Sequence, residues 1–188
     1  QAGPRGAGEA PGVERLAVRV LHEVPFPPTA YGLVVSPDGR HVVFYQPALG
    51  SVPSMATVPE GATQNLPNEG NAGQAAWSPR GDYLAYLSTD EEQPERWMEL
   101  WIYSVGAGRL VGRVRLGPQD IGSGQRGMVL GDAYPAWSRD GKELYYLTLA
   151  GVYCVDLREL GAPRETRPAQ LRGRQVAKAD AFPGGMRW

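Results

Sequence analysis

Cysteine and histidine are scarce: the 188 residues contain one cysteine, Cys154, and two histidines, His22 and His41. A single cysteine excludes an internal disulfide. With so few thiols and imidazoles no Cys/His cluster can form, so a zinc site is excluded and no metal or other cofactor is expected. Cys154 sits at an alternating position of "GVYCVDL" and reads as a small buried hydrophobe, with no histidine nearby to act as its base. Neither histidine accompanies a Gly-x-Ser-x-Gly elbow, so no nucleophile–base–orienter set is found, no catalytic residue is assigned and the chain is not expected to be an enzyme. Long apolar runs are also missing; none approaches the roughly 18–20 residues of a membrane helix. Nor is there an excess of one charge. Nineteen Lys and Arg against twenty Asp and Glu give a net charge of −1, which supplies no global field for nucleic acid.

The acidic residues do not compensate. The "TDEE" stretch at 89–92 and Asp120 with Asp132 offer oxygen ligands, but none follows the spacing of a calcium loop. The glycines of "SVGAGRLVG" resemble half a dinucleotide fingerprint, yet they lie between two β-type segments with no helix to receive a pyrophosphate, and are expected to form a hairpin turn. A sialidase-type Asp-box is excluded as well, because Asp38-Gly39 and Asp140-Gly141 are adjacent where that motif separates the two residues. The one local charge excess is at the C-terminal end, where residues 158–188 carry seven Arg or Lys against three Asp or Glu. It reads as a solvated tail, with docking to an acidic partner or to lipid headgroups as the alternative.

Glycine and proline, by contrast, are abundant, at 25 and 17 residues. Without a Gly-X-Y period this composition points to a turn-rich all-β fold. The turns recur in one form. Aligned on Ser36, Ser78 and Ser138, the segments "YGLVV", "QAAW" and "YPAW" precede the turns "PDGR", "PRGD" and "RDGK", and the alternating segments "HVVFYQ", "YLAYLS" and "ELYYLT" follow them. Apolar runs flanking such a turn are a strong hairpin signal, because glycine supplies the positive φ. Two further strands follow in each unit: "MELWIYS" and "RLVGRVRL" in the second, "GVYCVDL" and the stretch ending "RPAQL" in the third, and a weaker pair around Pro59-Glu60-Gly61-Ala62 in the first. The serines are 42 and 60 residues apart, and the first spacing falls in the range of propeller blades. Val43, Tyr45, Leu84, Tyr86, Leu144 and Tyr146 are expected to fill the gaps between units, with Trp77, Trp101 and Trp137 as further core. Arg80-Gly81-Asp82, a cell-adhesion triplet in isolation, falls on the turn of the second unit and is read as that turn.

The strings Trp77-Ser78-Pro79-Arg80-Gly81-Asp82 and Trp137-Ser138-Arg139-Asp140-Gly141-Lys142, each followed by an alternating strand, resemble the TolB-type β-propeller repeat. Ser36-Pro37-Asp38-Gly39-Arg40 matches at the turn but has Val35 where that repeat prefers an aromatic. The resemblance covers about residues 14–172. It implies an all-β fold of four-stranded antiparallel blades, about three of them, forming a partial or open propeller. A flexible tail is expected at 1–12, the blades at 13–172 and an extension at 173–188. The start at Gln1 with "QAGPRGAGEAPG" is read as processing of a precursor, so the protein is expected to be exported to the periplasm or another extracytoplasmic space.

Three blades do not close a ring, and unclosed faces leave apolar surface and strand edges bare. The functional expectation is therefore a noncatalytic interaction module, an accessory or scaffold subunit of a larger, membrane-associated assembly. Its partners would be other protein chains, in a hetero-complex or in a homodimer that completes the propeller. Nucleic acid is not expected; peripheral membrane contact is left open by the basic end. Trp97, which closes the acidic loop, together with Gln119, Asp120 and Arg126 of the 117–127 loop, and the terminal cluster Phe182, Met186 and Trp188, are the candidate partner-binding residues. Two alternatives stand beside this reading: a propeller fragment of an oligopeptidase-like hydrolase, and a small-ligand or glycan-binding module using the loops near Trp97.

Overall fold

In the computed structural model the structure describes residues 30–46, 52–58, 60–89, 98–116, 135–148, 151–160 and 168–178. The described residues are all-β apart from one 3-10 turn, Leu157–Glu159. Three sheets follow one another along the sequence. The first runs β1 (Tyr31–Val35), β2 (His41–Gln46), β3 (Val52–Thr57) and β4 (Thr63–Asn65). The second runs β5 (Ala72–Trp77), β6 (Tyr83–Thr89), β7 (Met98–Ser104) and β8 (Arg109–Leu116). The third begins with the short β9 (Ala136–Trp137), then β10 (Glu143–Thr148) and β11 (Gly151–Asp156). These are antiparallel ladders, and the strands fall on the segments expected from the alternation.

The last strand of the third sheet departs from expectation. The outer strand is β13 (Arg174–Lys178), which pairs antiparallel with β11. The "AQL" segment expected there instead forms β12 (Ala169–Leu171), which lies parallel to β8 on the outer edge of the second sheet. Residues 169–178 therefore run from the outer edge of one sheet to that of the next. The physical reason is at Gly112, where a Cβ would fall 2.7 Å from Leu160 Cδ2 and 2.9 Å from Leu171 Cδ1. The missing side chain leaves the space that Leu171 fills, and Leu171 is buried in the core between the second and third sheets.

Each turn is built around its serine. In the first, the Ser36 N–H donates to the His41 carbonyl at 2.8 Å, the His41 N–H donates to Ser36 Oγ at 2.9 Å, and Ser36 Oγ–H donates to Asp38 Oδ1 at 2.6 Å. The third turn repeats all three bonds with Ser138, Glu143 and Asp140, at 2.9, 3.0 and 2.8 Å. Gly39, Gly81 and Gly141 take φ of 70°, 75° and 72°, the left-handed region in which a side chain costs about 1–2 kcal/mol. In the second turn the serine and glycine bonds are the same, but Arg80 stands where the others have aspartate. Asp82 pairs with Arg80 instead, Nε to Oδ2 at 2.9 Å. The Arg-Gly-Asp triplet is thus a turn whose two charged side chains face each other.

The sheets pack in sequence, and the core lies in the two gaps. Between the first and second sheets are Val43, Tyr45, Met55, Leu84, Tyr86, Trp101 and Tyr103. Between the second and third are Ala85, Leu87, Leu100, Ile102, Leu144, Tyr146 and Val155. Period-two alternation puts Leu84 and Tyr86 on one face of β6 and Ala85 and Leu87 on the other, so the middle sheet is apolar on both sides. The six residues expected between units all lie in these gaps, and Trp101 and Cys154 are buried as expected.

A bulge opens the inner strand of the first two sheets. At the position four residues before the serine, Gly32 has φ of 66° and Gln74 has φ of 51°. A Cβ on Gly32 would lie 2.6 Å from Tyr45 Cδ2, whereas Leu87 takes the place of Tyr45 in the second sheet and leaves room for a side chain at 74. Gly39 has the same backbone sign with nothing within 4 Å of a Cβ. Gly32→Ala is therefore expected to destabilise by roughly 3 kcal/mol, left-handed strain plus overpacking, against about 1 kcal/mol for Gly39→Ala. Urea unfolding of the two variants checks the difference.

The turn carboxylates give a pH dependence. The hydroxyls of Ser36 and Ser138, together with the backbone N–H groups of Arg40 and Lys142, hold Asp38 and Asp140 below the ordinary carboxylate range. Arg158 holds Asp156 down to about 2. A depressed folded-state pKa contributes stability above the unfolded value and loses it as the pH falls through the folded one. The urea midpoint is expected to drop as the pH goes from about 4 toward 2, and Asp38→Asn with Asp140→Asn should remove part of that slope.

Candidate interaction faces and inter-sheet latches

None of the predicted partner-binding residues can be placed. Trp97, Gln119, Asp120, Arg126, Phe182, Met186 and Trp188 all lie outside the described residues, as does His22. Among the described residues there is no group of three or more His, Cys, Asp or Glu suited to a metal ion, and no helix long and apolar enough to cross a membrane. The described groups whose pKa is moved have packing or turn partners. Burial pushes the Tyr86 phenol up, and its hydroxyl donates to the Pro67 carbonyl at 2.7 Å. Burial raises the Cys154 thiol, which makes it a poor nucleophile at neutral pH. Tyr145 is raised to about 12, chiefly because its hydroxyl donates to Glu143 Oε2 at 2.7 Å.

What the structure does show is how one sheet holds the next. Three contacts are made at the first junction and made again at the second. The indole N–H of Trp77 donates to the Val34 carbonyl of the preceding sheet at 3.2 Å, and that of Trp137 donates to the Ala76 carbonyl at 3.0 Å. The same rings lie against the first residue of the preceding β2-type strand: Trp77 is 6.0 Å from the His41 ring, and Trp137 is stacked 6.2 Å from Tyr83. The turns also stack. A Cβ on Gly81 would lie 3.8 Å from Pro37 Cδ, and one on Gly141 would lie 3.5 Å from Pro79 Cδ. Trp77 and Trp137, expected as core filling, are also directional fasteners.

A polar cluster reinforces the first junction from the middle sheet. Arg113 lies with its guanidinium carbon 4.2 Å from the centre of the Trp101 ring and pairs with Glu69 at 2.8 Å and Glu99 at 3.5 Å. Trp101 in turn donates to Glu99 Oε2 at 2.8 Å. Glu69 belongs to the connector from the first sheet, whose Asn68 also accepts from Ser88 at 2.9 Å. Sequence reasoning missed this cluster, since its members are spread from Glu69 to Arg113 with no local pattern to link them.

The same alignment that defines the latches exposes two unlike end faces. In the first sheet the latch position is Val35, and Val35 and Leu33 are 52% and 58% exposed, on the side away from the second sheet. Farther out on the same side Phe44 is 2% exposed. In the third sheet the outward side carries Ala136, exposed, with half-buried Tyr145, Leu147 and Val152 and buried Cys154 between Glu143 and Arg174. The acceptor equivalent to Val34 and Ala76 is Ala136; the stacking position is Glu143 and the proline position is Arg139. Val35 stood out in the sequence as the missing aromatic, but only the structure shows that what is missing is a hydrogen-bond donor.

No family model and no curated protein matches the chain. Solved structures are similar at low identity. The β-propeller domain of the Trilobed protease from Pyrococcus furiosus aligns at 12% identity over 66% of this chain and 40% of its own, with a TM-score of 0.47. Acylaminoacyl peptidase from Pyrococcus horikoshii aligns at 10% identity over 67% and 23%, with a TM-score of 0.46. Hydrazine synthase from Kuenenia stuttgartiensis aligns at 18% identity over 68% and 40%, with a TM-score of 0.44. The chain thus spans less than half the length of each. The fold is an all-β stack of propeller-type sheets.

Removing only the donor tests the latches. Trp77→Phe and Trp137→Phe keep an aromatic ring in each gap and lose one N–H···O bond, for an expected cost of about 1 kcal/mol plus the packing lost with the smaller ring. Trp77→Ala or Trp137→Ala should cost roughly 3–5 kcal/mol. Equilibrium urea unfolding separates the two classes.

Proposed function

We propose that the protein is a noncatalytic TolB-type β-propeller module that works by protein–protein contact, as an accessory or scaffold subunit of a larger, membrane-associated assembly in an extracytoplasmic compartment. The observation that carries this reading is the pair of unlike end faces. Val35 is exposed at the position where the second sheet buries Trp77 and the third holds half-buried Trp137, and Leu33 beside it is exposed too; apolar side chains on an inner strand are stable when a neighbouring sheet covers them. The polar groups described above support the same reading, because each set serves packing or a turn. Ser36 and Ser138 organise turns, Arg113 braces a junction, and Tyr145 and Glu143 bond each other.

The test is the mass of the native species, measured by light scattering on material purified from its own source. Other chains co-eluting with the protein, stable to gel filtration, are the expected result. A lone species at the 20.3 kDa chain mass and micromolar concentration would overturn the proposal. If the protein elutes instead as part of a longer polypeptide bearing a hydrolase domain, the oligopeptidase reading replaces it.

A further inference from the structure

Resting on the reading as an interaction module, the geometry points to which face takes a partner and what that partner carries. We propose that the outward face of the third sheet is the docking surface for a blade of another protein whose inner strand brings its own tryptophan, and that Val35 keeps a second copy of this chain off that surface.

The basis is the continuity of a junction that the chain builds twice. At both internal junctions an indole N–H from the incoming sheet reaches the backbone carbonyl just before the latch position of the sheet it joins: Val34, then Ala76. The third sheet presents the same carbonyl at Ala136, in the same register, since Val34 lies opposite Val43, Ala76 opposite Ala85 and Ala136 opposite Tyr145. Ala136 is exposed, so the backbone position that takes the indole at the two internal junctions is reachable here, with Glu143 and Arg139 in place of the ring and the proline. The stacking position, held by His41 and Tyr83 at the internal junctions, is Glu143 here, and an aromatic side chain lies beside it. Tyr145 stands where the first two sheets have Val43 and Ala85, and its hydroxyl is fixed by Glu143 at 2.7 Å.

The donor side that a second copy would bring is defective. Its leading residue is Val35, whose side chain has no N–H to give and no ring to lay on the sheet it joins. A head-to-tail pair of this chain would therefore lack both the indole bond and the ring contact that hold the two internal junctions, and would rest on apolar contact alone. The occupant that fits is a sheet from a different chain, with tryptophan or an equivalent indole one residue before its turn serine.

Position 35 and position 136 are both exposed, so each half of the junction can be altered separately. The probe is the chain itself as Val35→Trp with Ala136→Arg: it carries the missing indole, and its own acceptor face is blocked. Mixed with the wild-type chain it is expected to form a one-to-one complex of twice the chain mass in sedimentation velocity, at least about tenfold tighter than wild type binds itself. Mixed with the Ala136→Arg chain it should remain unassociated. Absence of a complex in the first mixture, with both chains folded by circular dichroism, overturns the proposal. So does wild-type self-association that Ala136→Arg abolishes, because the second copy is then the occupant. A second readout does not involve position 35: Ala136→Arg in the source organism should release the co-purifying chain, and a companion that stays bound overturns the assignment of this face. If no companion exists at all, the proposed function fails whatever the mixtures show; if companions exist and the mixtures fail, the docking face alone is wrong.

Discussion

A tryptophan N–H reaching across a gap to a backbone carbonyl is the interaction on which this stack of sheets depends. Apolar burial supplies the larger part of the attraction between sheets but is itself non-directional. The indole bond is directional. The Trp77 bond to Val34 and the Trp137 bond to Ala76 set the height of one inner strand against the next. The stacked turn glycines and prolines follow from that height, as do the rings beside His41 and Tyr83. The serine-anchored turn is what aims the indole: it ends the inner strand one residue after the tryptophan and returns the chain immediately into the next strand.

The middle sheet is the only one of the three described with a neighbour on both sides, and its composition shows it. Ala85, Leu87, Leu100 and Ile102 on one face and Leu84, Tyr86, Trp101 and Tyr103 on the other are all buried. The far sides of the outer sheets mix apolar and polar residues: exposed Leu33 and Val35 with buried Phe44 beside Ser54 and Gln46, bonded at 2.7 Å, in the first, and half-buried Leu147 and Val152 beside Glu143 and Tyr145 in the third. The two ends of the stack are therefore chemically distinct, one ending in valine and leucine, the other in a tyrosine–glutamate pair.

Most of the fold was legible in the sequence because propeller-type sheets are made of local hairpins. The serine, the glycine shortly after it and the alternating segment that follows all act within a short stretch of chain, so β1, β2, β5, β6, β9 and β10 follow from reading along it. The outer strand of the third sheet did not follow. Residues 169–171 and 174–178 have similar composition, and what sorts them is the space over Gly112, a residue far back along the chain. The positive φ of Gln74 was hidden for a related reason, since glutamine gives no sign of it; it was legible only by analogy to Gly32 once the bulges were aligned. Of the partner-binding candidates, the loop and terminal residues lie outside the described parts, and the exposed faces emerged instead from a residue the sequence marked only as a deviation, Val35.

The segment 169–178 gives the two junctions different mechanical character. It pairs first with β8 and then with β11, so a force prying the third sheet from the second must shear backbone ladders on two sheets at once. Between the first and second sheets, the described residues offer side-chain ties instead: Tyr86 to Pro67, Ser88 to Asn68, Arg113 to Glu69. Such bonds give way one at a time. Under load the second and third sheets behave as one stiff plate, and the first is the leaf that swings.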